Sequence, residues 1–121
     1  MHILWENISS PPVIELQIDE KELFTILIID PDAPNPPYLH LWYQNVSLTN
    51  KGDIISTYMK PSPPDNKMHR YNVLVYAQNN KLRMKPKITQ RTGFDLSKLG
   101  FKDADLRASK VYQSNGITLS S

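Results

Sequence analysis

Residues 22–34 read ELFTILIIDPDAP. The first eight are apolar except for Glu22 and Thr25 and are rich in β-branched side chains. A short apolar run of this make-up predicts a strand covered on both faces rather than one with a wet side. The run then meets two aspartates and two prolines within residues 30–34. Pro31 locks its φ and offers no N–H to a ladder, so the strand stops there. Asp30 has the parity of Phe24, Ile26 and Ile28, which makes it the polar end of an apolar row. Taken alone, DPDAP is a tight turn. Whether Asp30 and Asp32 also touch something depends on what the fold brings beside them.

The flanking segments extend the same pattern. VIELQI (13–18) alternates apolar and polar, as a half-buried strand does. YLHLWYQNVSL (38–48) is an aromatic-rich strand, TNKGD turns the chain, and IISTYM (54–59) and RYNVLVYAQ (70–78) are further strands. KLRMKPKI (81–88) reads as a short edge strand, because Pro86 cannot donate to a ladder. In the last third, FDLSKLGF starts a short helix with Asp95 as N-cap, and DADLRAS adds a second helical turn. KVYQS then forms a strand, with a hairpin through Asn115-Gly116 or a frayed tail after it. The expectation is a mainly β, antiparallel sandwich with one or two short peripheral helices, residues 1–121 forming a single domain.

Composition narrows the function. A net charge of +2 over 121 residues is too small to argue for nucleic acid or an anionic membrane. The basic run KLRMKPK (81–87) reads as a solvated edge. Without cysteine there is no disulfide, thiolate or Cys-based zinc chemistry, and the three histidines carry no metal-site spacing. No cofactor is implied. MHILWENISS lacks the features of a signal peptide, and no apolar stretch approaches the ~20 residues of a spanning helix. A soluble, cytoplasmic protein with no stable membrane insertion is expected. A compact chain rich in Lys, Asn and Ile suits a large DNA virus or an AT-rich microbe.

Three further pieces bear on chemistry: His40 in YLHLW, PSPP (61–64), and HRY (69–71). On a strand His69 and Tyr71 share one face and Arg70 takes the other. An arginine on an inward face needs a carboxylate, and Asp32 is the expected partner. Singly, His40 is a satisfied, partly buried histidine and PSPP a rigid loop.

Together and in this order, FTILIIDPDAP, YLH with a strand ending in Asn45, IISTYMKPSPP and HRYNVLVYAQ resemble the phosphatidylethanolamine-binding protein family. That family includes the Raf kinase inhibitor proteins and the plant flowering-time regulators. RTGFDL and VYQ add weaker likeness, so the resemblance runs from about Pro12 to Gln113. It implies a Greek-key β-sandwich with a small anion pocket at one end of the large sheet. Carried across, the pocket residues are Asp30, Pro34, His40, Pro63, Pro64, His69 and Tyr71. The two imidazoles and the Tyr71 hydroxyl would donate to phosphate oxygens. Asp30 would orient one histidine or accept from the ammonium of a zwitterionic head group such as phosphoethanolamine. Asp32 and Arg70 would be structural neighbours.

The chain departs from the family pattern in places. Only NPPYL separates Pro34 from His40, where a longer loop is usual. Leu41 stands where an aromatic is usual, with Trp42 one later. MKPS and PPDNKM lack the customary glycines. The chain stops soon after VYQ, so a short divergent member lacking the C-terminal helix is expected, with a more open and weaker site. The leading reading is a non-enzymatic protein that binds phosphate or phosphorylated groups, including phospho-residues, and modulates a partner such as a kinase or protease. The alternatives are an interaction module with a vestigial pocket and, below it, a phosphoester hydrolase. The oligomeric state is left open.

Overall fold

In the computed structural model, which describes residues 1–16, 19 and 21–121, eight strands carry the fold. They are β1 (His2–Leu4), β2 (Val13–Glu15), β3 (Leu23–Asp30), β4 (Tyr38–Val46), β5 (Asp53–Ser56), β6 (His69–Gln78), β7 (Leu106–Ser114) and β8 (Leu119–Ser120). β1 and β2 pair as a small two-stranded sheet. The other six form one sheet in the order β5-β4-β3-β6-β7-β8, and its ladders are all antiparallel.

β3 lies third in that sheet, between β4 and β6, so both its edges are paired. Both its faces are covered as well, and every residue from Phe24 to Asp30 is buried. The alternation of side chains splits them between two cores. Phe24, Ile26 and Ile28 pack with Tyr71, Val73 and Val75 beneath Ile3 and Trp5 of the N-terminal segment. Leu27 faces the other way and packs with Leu39 and Trp42 beneath Ile88, Phe94, Leu96 and Leu99. The unbroken apolar run of β3 is thus the signature of a strand with no wet side.

Several expectations change in detail. The N-terminus contributes β1, and Trp5 sits edge-on to Tyr58, Tyr71 and Tyr112 at centroid separations of 6.3, 6.2 and 5.2 Å. Of VIELQI only Val13–Glu15 is strand, and residues 17 and 18 lie outside the described residues. β5 ends at Ser56, short of the expected Met59, although Met59 N–H still donates to the His40 carbonyl of β4 at 2.8 Å. KLRMKPKI forms no strand. Its backbone is held by side chains of β4 instead: Asn45 bonds both the N–H and the C=O of Leu82, and Gln44 donates to the Met84 carbonyl. FDLSKLGF gives a 3-10 turn over Leu96–Leu99, where the Asp95 carboxylate accepts from Ser97 N–H. DADLRAS yields only Asp103–Asp105 as 3-10 helix before β7 begins. The tail is not frayed: β7 and β8 close a hairpin, and Asn115 Oδ1 accepts from the N–H groups of Ile117 and Thr118.

Asn45 holds the far end of the sheet together. It takes a left-handed φ of 57°, and its side chain also bonds Asp53 and Gln78. The next turn presses on the same place. Gly52 has φ of 75°, and a Cβ there would stand 2.2 Å from the Gln44 carbonyl oxygen. Only glycine fits, for steric and conformational reasons together. Gly52→Ala should therefore lower the unfolding free energy by more than about 1 kcal/mol, read as a lower urea midpoint with unchanged slope.

Candidate functional site

β3 runs out at Asp30 as β4 and β6 begin at Tyr38 and His69, so three polar strand ends meet at one end of the sheet. Asp30 is opposite Tyr38 and Ile29 is opposite Asn72. A cavity of about 310 Å³ opens there, within the size range of small-ligand sites. Asp30, His40, His69 and Tyr71 line it from the strands, with Pro34, Pro63 and Pro64 from the loops. Tyr38, Met59, Lys60 and Thr92 add to the wall, with Ala33, Asn35 and Ser62. Asp32 and Arg70 lie outside it.

A β-bulge aims His40. Ile28 pairs with Leu41 and Ile29 with Leu39, so His40 is the extra residue in β4. Strict alternation would place it on the Trp42 face; the bulge turns it toward Asp30 and Tyr71. Trp42 therefore does not fill the space beside His40. It packs in the opposite core, edge-on to Phe94 at 5.7 Å, with its buried indole N–H unpaired among the described residues. The short mouth loop is tied down rather than open: Gly93 N–H donates to Asn35 C=O, Phe94 to Pro37 and Leu39 to Arg91. On the other side, Gly116 of the β7–β8 turn leaves just enough room for Pro63, whose Cδ would lie 3.2 Å from an added Cβ.

The hydrogen bonds divide the labour. Asp30 is 2 % exposed. One of its oxygens accepts from Asp32 N–H at 2.7 Å, which closes the DPD turn. The other lies 2.8 Å from His69 Nδ1. His69 Nε2 lies 3.0 and 3.1 Å from the two oxygens of Asp65. Burial disfavours charge on His69, but the hydrogen bonds to Asp30 and Asp65 outweigh it and raise its pKa above 6.5. His40 is the opposite case. Burial lowers its pKa, opposed in part by the Met59 carbonyl 2.6 Å from Nδ1. Its neutral form therefore carries the proton on Nδ1, the nitrogen that must donate to that carbonyl. The ring is held between Tyr38 and Tyr71, at centroid separations of 4.8 and 5.0 Å. Burial also raises the Tyr71 pKa well above 10, so its hydroxyl stays protonated and able to donate.

Asp32 serves the outside. It accepts from Arg70 N–H at 2.8 Å and from the Arg70 guanidinium through Nε and Nη2. These hydrogen bonds hold the Asp32 carboxyl at a pKa of about 2. The pair spans from the DPD turn to the first residues of β6 and so fixes where His69 and Tyr71 begin.

Sequence reasoning missed Asp65, Lys60 and Tyr38. Tyr38 had a signal in the sequence, as the aromatic that opens the strand carrying His40. Asp65 had none beyond its place four residues before His69.

The fold is mainly antiparallel β, with a small cavity at one end of its large sheet. The phosphatidylethanolamine-binding protein family model matches residues 2–112, and the chain belongs to that family. It is 37% identical over 103 residues to "Putative odorant-binding protein A5" of Drosophila melanogaster, covering 78% of this chain and 44% of that protein. It is 31% identical over 77 residues to "Protein MOTHER of FT and TFL1 homolog 2" of rice, Oryza sativa subsp. japonica, covering 56% of this chain and 44% of that protein. The matched segments thus span less than half the length of these curated relatives. Family membership places the chain among binding and regulatory proteins in general. No helix among the described residues is long and apolar enough to cross a membrane.

The two histidines should titrate apart, His69 above 6.5 and His40 below it. His69 gains a partner on folding, so its contribution to stability is complete below its unfolded pKa and fades as pH rises through the raised folded value. His40 is buried neutral, so its contribution is present above its unfolded pKa and lost as pH falls through the lowered value. Imidazole NMR titration should resolve both, and Asp30→Asn should bring the His69 pKa down. A His69 that titrates below His40 in the intact chain is incompatible with this assignment.

Proposed function

We propose that the chain is a non-enzymatic binding protein whose pocket takes a small phosphorylated group, of the size and charge of a phosphoethanolamine head group. The observation that carries this reading is the convergence of His69, Tyr71 and Lys60 with His40 and Asp30 on one cavity of about 310 Å³ walled by prolines. Lys60, the Tyr71 hydroxyl and a charged His69 suit phosphate oxygens. The second nitrogen of neutral His40 and the Asp30 carboxylate suit a donor, such as an ammonium or a protonated phosphate oxygen. The prolines give rigid apolar walls with no N–H left to satisfy. The cavity suits a head group better than acyl chains.

A role in modulating a protein partner such as a kinase or protease rests on family membership alone. A phosphorylated side chain of such a partner presents the same group to the pocket as a free head group does. Cytoplasmic location belongs to the same proposal.

Titration of the full chain with phosphoethanolamine, followed by the imidazole resonances of His40 and His69, tests the binding. Saturable shifts of both are expected. Tyr71→Phe should weaken binding by roughly fivefold, the size of one neutral hydrogen bond, and His69→Ala by about tenfold or more. Saturable binding that His69→Ala leaves untouched would put the site elsewhere.

A further inference from the structure

His69 carries two N–H donors when charged, and both are spent within the chain. Nδ1 is bound to Asp30, and Nε2 is straddled by both oxygens of Asp65. The two carboxylates are not equivalent. Asp30 ends a strand buried on both faces, and its other oxygen closes the DPD turn, so it cannot leave His69 without opening that turn. Asp65 lies in the loop between Pro64 and β6, and its side chain is 45% exposed. Besides His69 it accepts from Lys67 N–H, two residues along. That local bond and the His69 contact depress its pKa, so it is ionised across the neutral range. Swung into water, such a carboxylate is rehydrated at little cost.

A carboxylate with one charge and two oxygens astride an imidazolium N–H presents what a bound phosphate would present to the same nitrogen. We infer that Asp65, next in the chain to the cavity-lining Pro64, is a built-in competitor: it occupies Nε2 of His69, the one N–H that the buried Asp30 does not hold, and an incoming anion must displace it. This rests on the reading of the cavity as a phosphate site. Asp65 therefore sets how tightly the pocket holds an anion, while Asp30 sets where His69 points. The cavity is open, but the Nε2 N–H of His69 is already taken, and weak anions are refused because they do not repay the exchange.

Inorganic phosphate is the probe, titrated into the full chain carrying Asp65, Asp65→Ala or Asp65→Glu, with the His69 resonances and calorimetry as readouts. Asp65→Ala should bind phosphate about tenfold more tightly than the parent chain, the weight of one charge-assisted hydrogen bond. Asp65→Glu, which keeps the charge on a longer stem, should stay near the parent. Before phosphate is added, Asp65→Ala should lower the His69 pKa toward 6.5, and phosphate should raise it again. Equal or weaker phosphate binding by Asp65→Ala, with binding measurable in the parent, overturns the competitor and leaves the pocket reading standing. Absence of phosphate binding in all three chains overturns both.

Discussion

Asp30 ends a strand that has no exposed face. β3 is covered above and below and paired along both edges, so the carboxylate at its end is delivered into a buried place. A buried carboxylate must be hydrogen-bonded or paired. Asp32 N–H and His69 meet that need, one from the turn that follows and one from the neighbouring strand. The position of His69, and with it the start of β6, follows from where β3 stops.

Around this pair the polar groups fall into two sets. Asp32 and Arg70 clasp the turn to β6 from the solvent side, and no part of that clasp lines the cavity. His40, His69 and Tyr71 line the cavity, and burial tunes each differently. The same desolvation that keeps His40 neutral and Tyr71 protonated is outweighed at His69 by two carboxylates. One end of the sheet therefore holds one imidazole biased toward its neutral form beside one biased toward its charged form.

The loops make the mouth. NPPYL is short, yet it is no loose flap, because three backbone hydrogen bonds join residues 35–39 to residues 91–94. The β7–β8 turn packs Gly116 against Pro63 from the other side. These connections rim the cavity end of the sheet. PPDNKM is the most consequential of them, since it carries Asp65 to His69.

Local sequence determined the strands that are long or strongly patterned. The apolar run of β3, the aromatic β4 and the alternating β6 declare themselves through hydrophobic periodicity, and DPDAP declares the stop through proline chemistry. The family resemblance nominated Asp30, Pro34, His40, Pro63, Pro64, His69 and Tyr71, which border the cavity, but not Tyr38 or Lys60, which border it too. Tertiary structure alone decided the rest. The bulge that turns His40 away from Trp42 arises from register between β3 and β4, which no single-strand parity can show. KLRMKPKI lost its strand to the side chains of Gln44 and Asn45, partners about forty residues distant. β1 is three residues long, and it exists because Ile3 and Trp5 have a core to cover. Asp65 reaches His69 through a loop conformation set by its own Lys67 bond and by where β6 begins. Each of these depends on contacts between segments, and contacts between segments have no period to read.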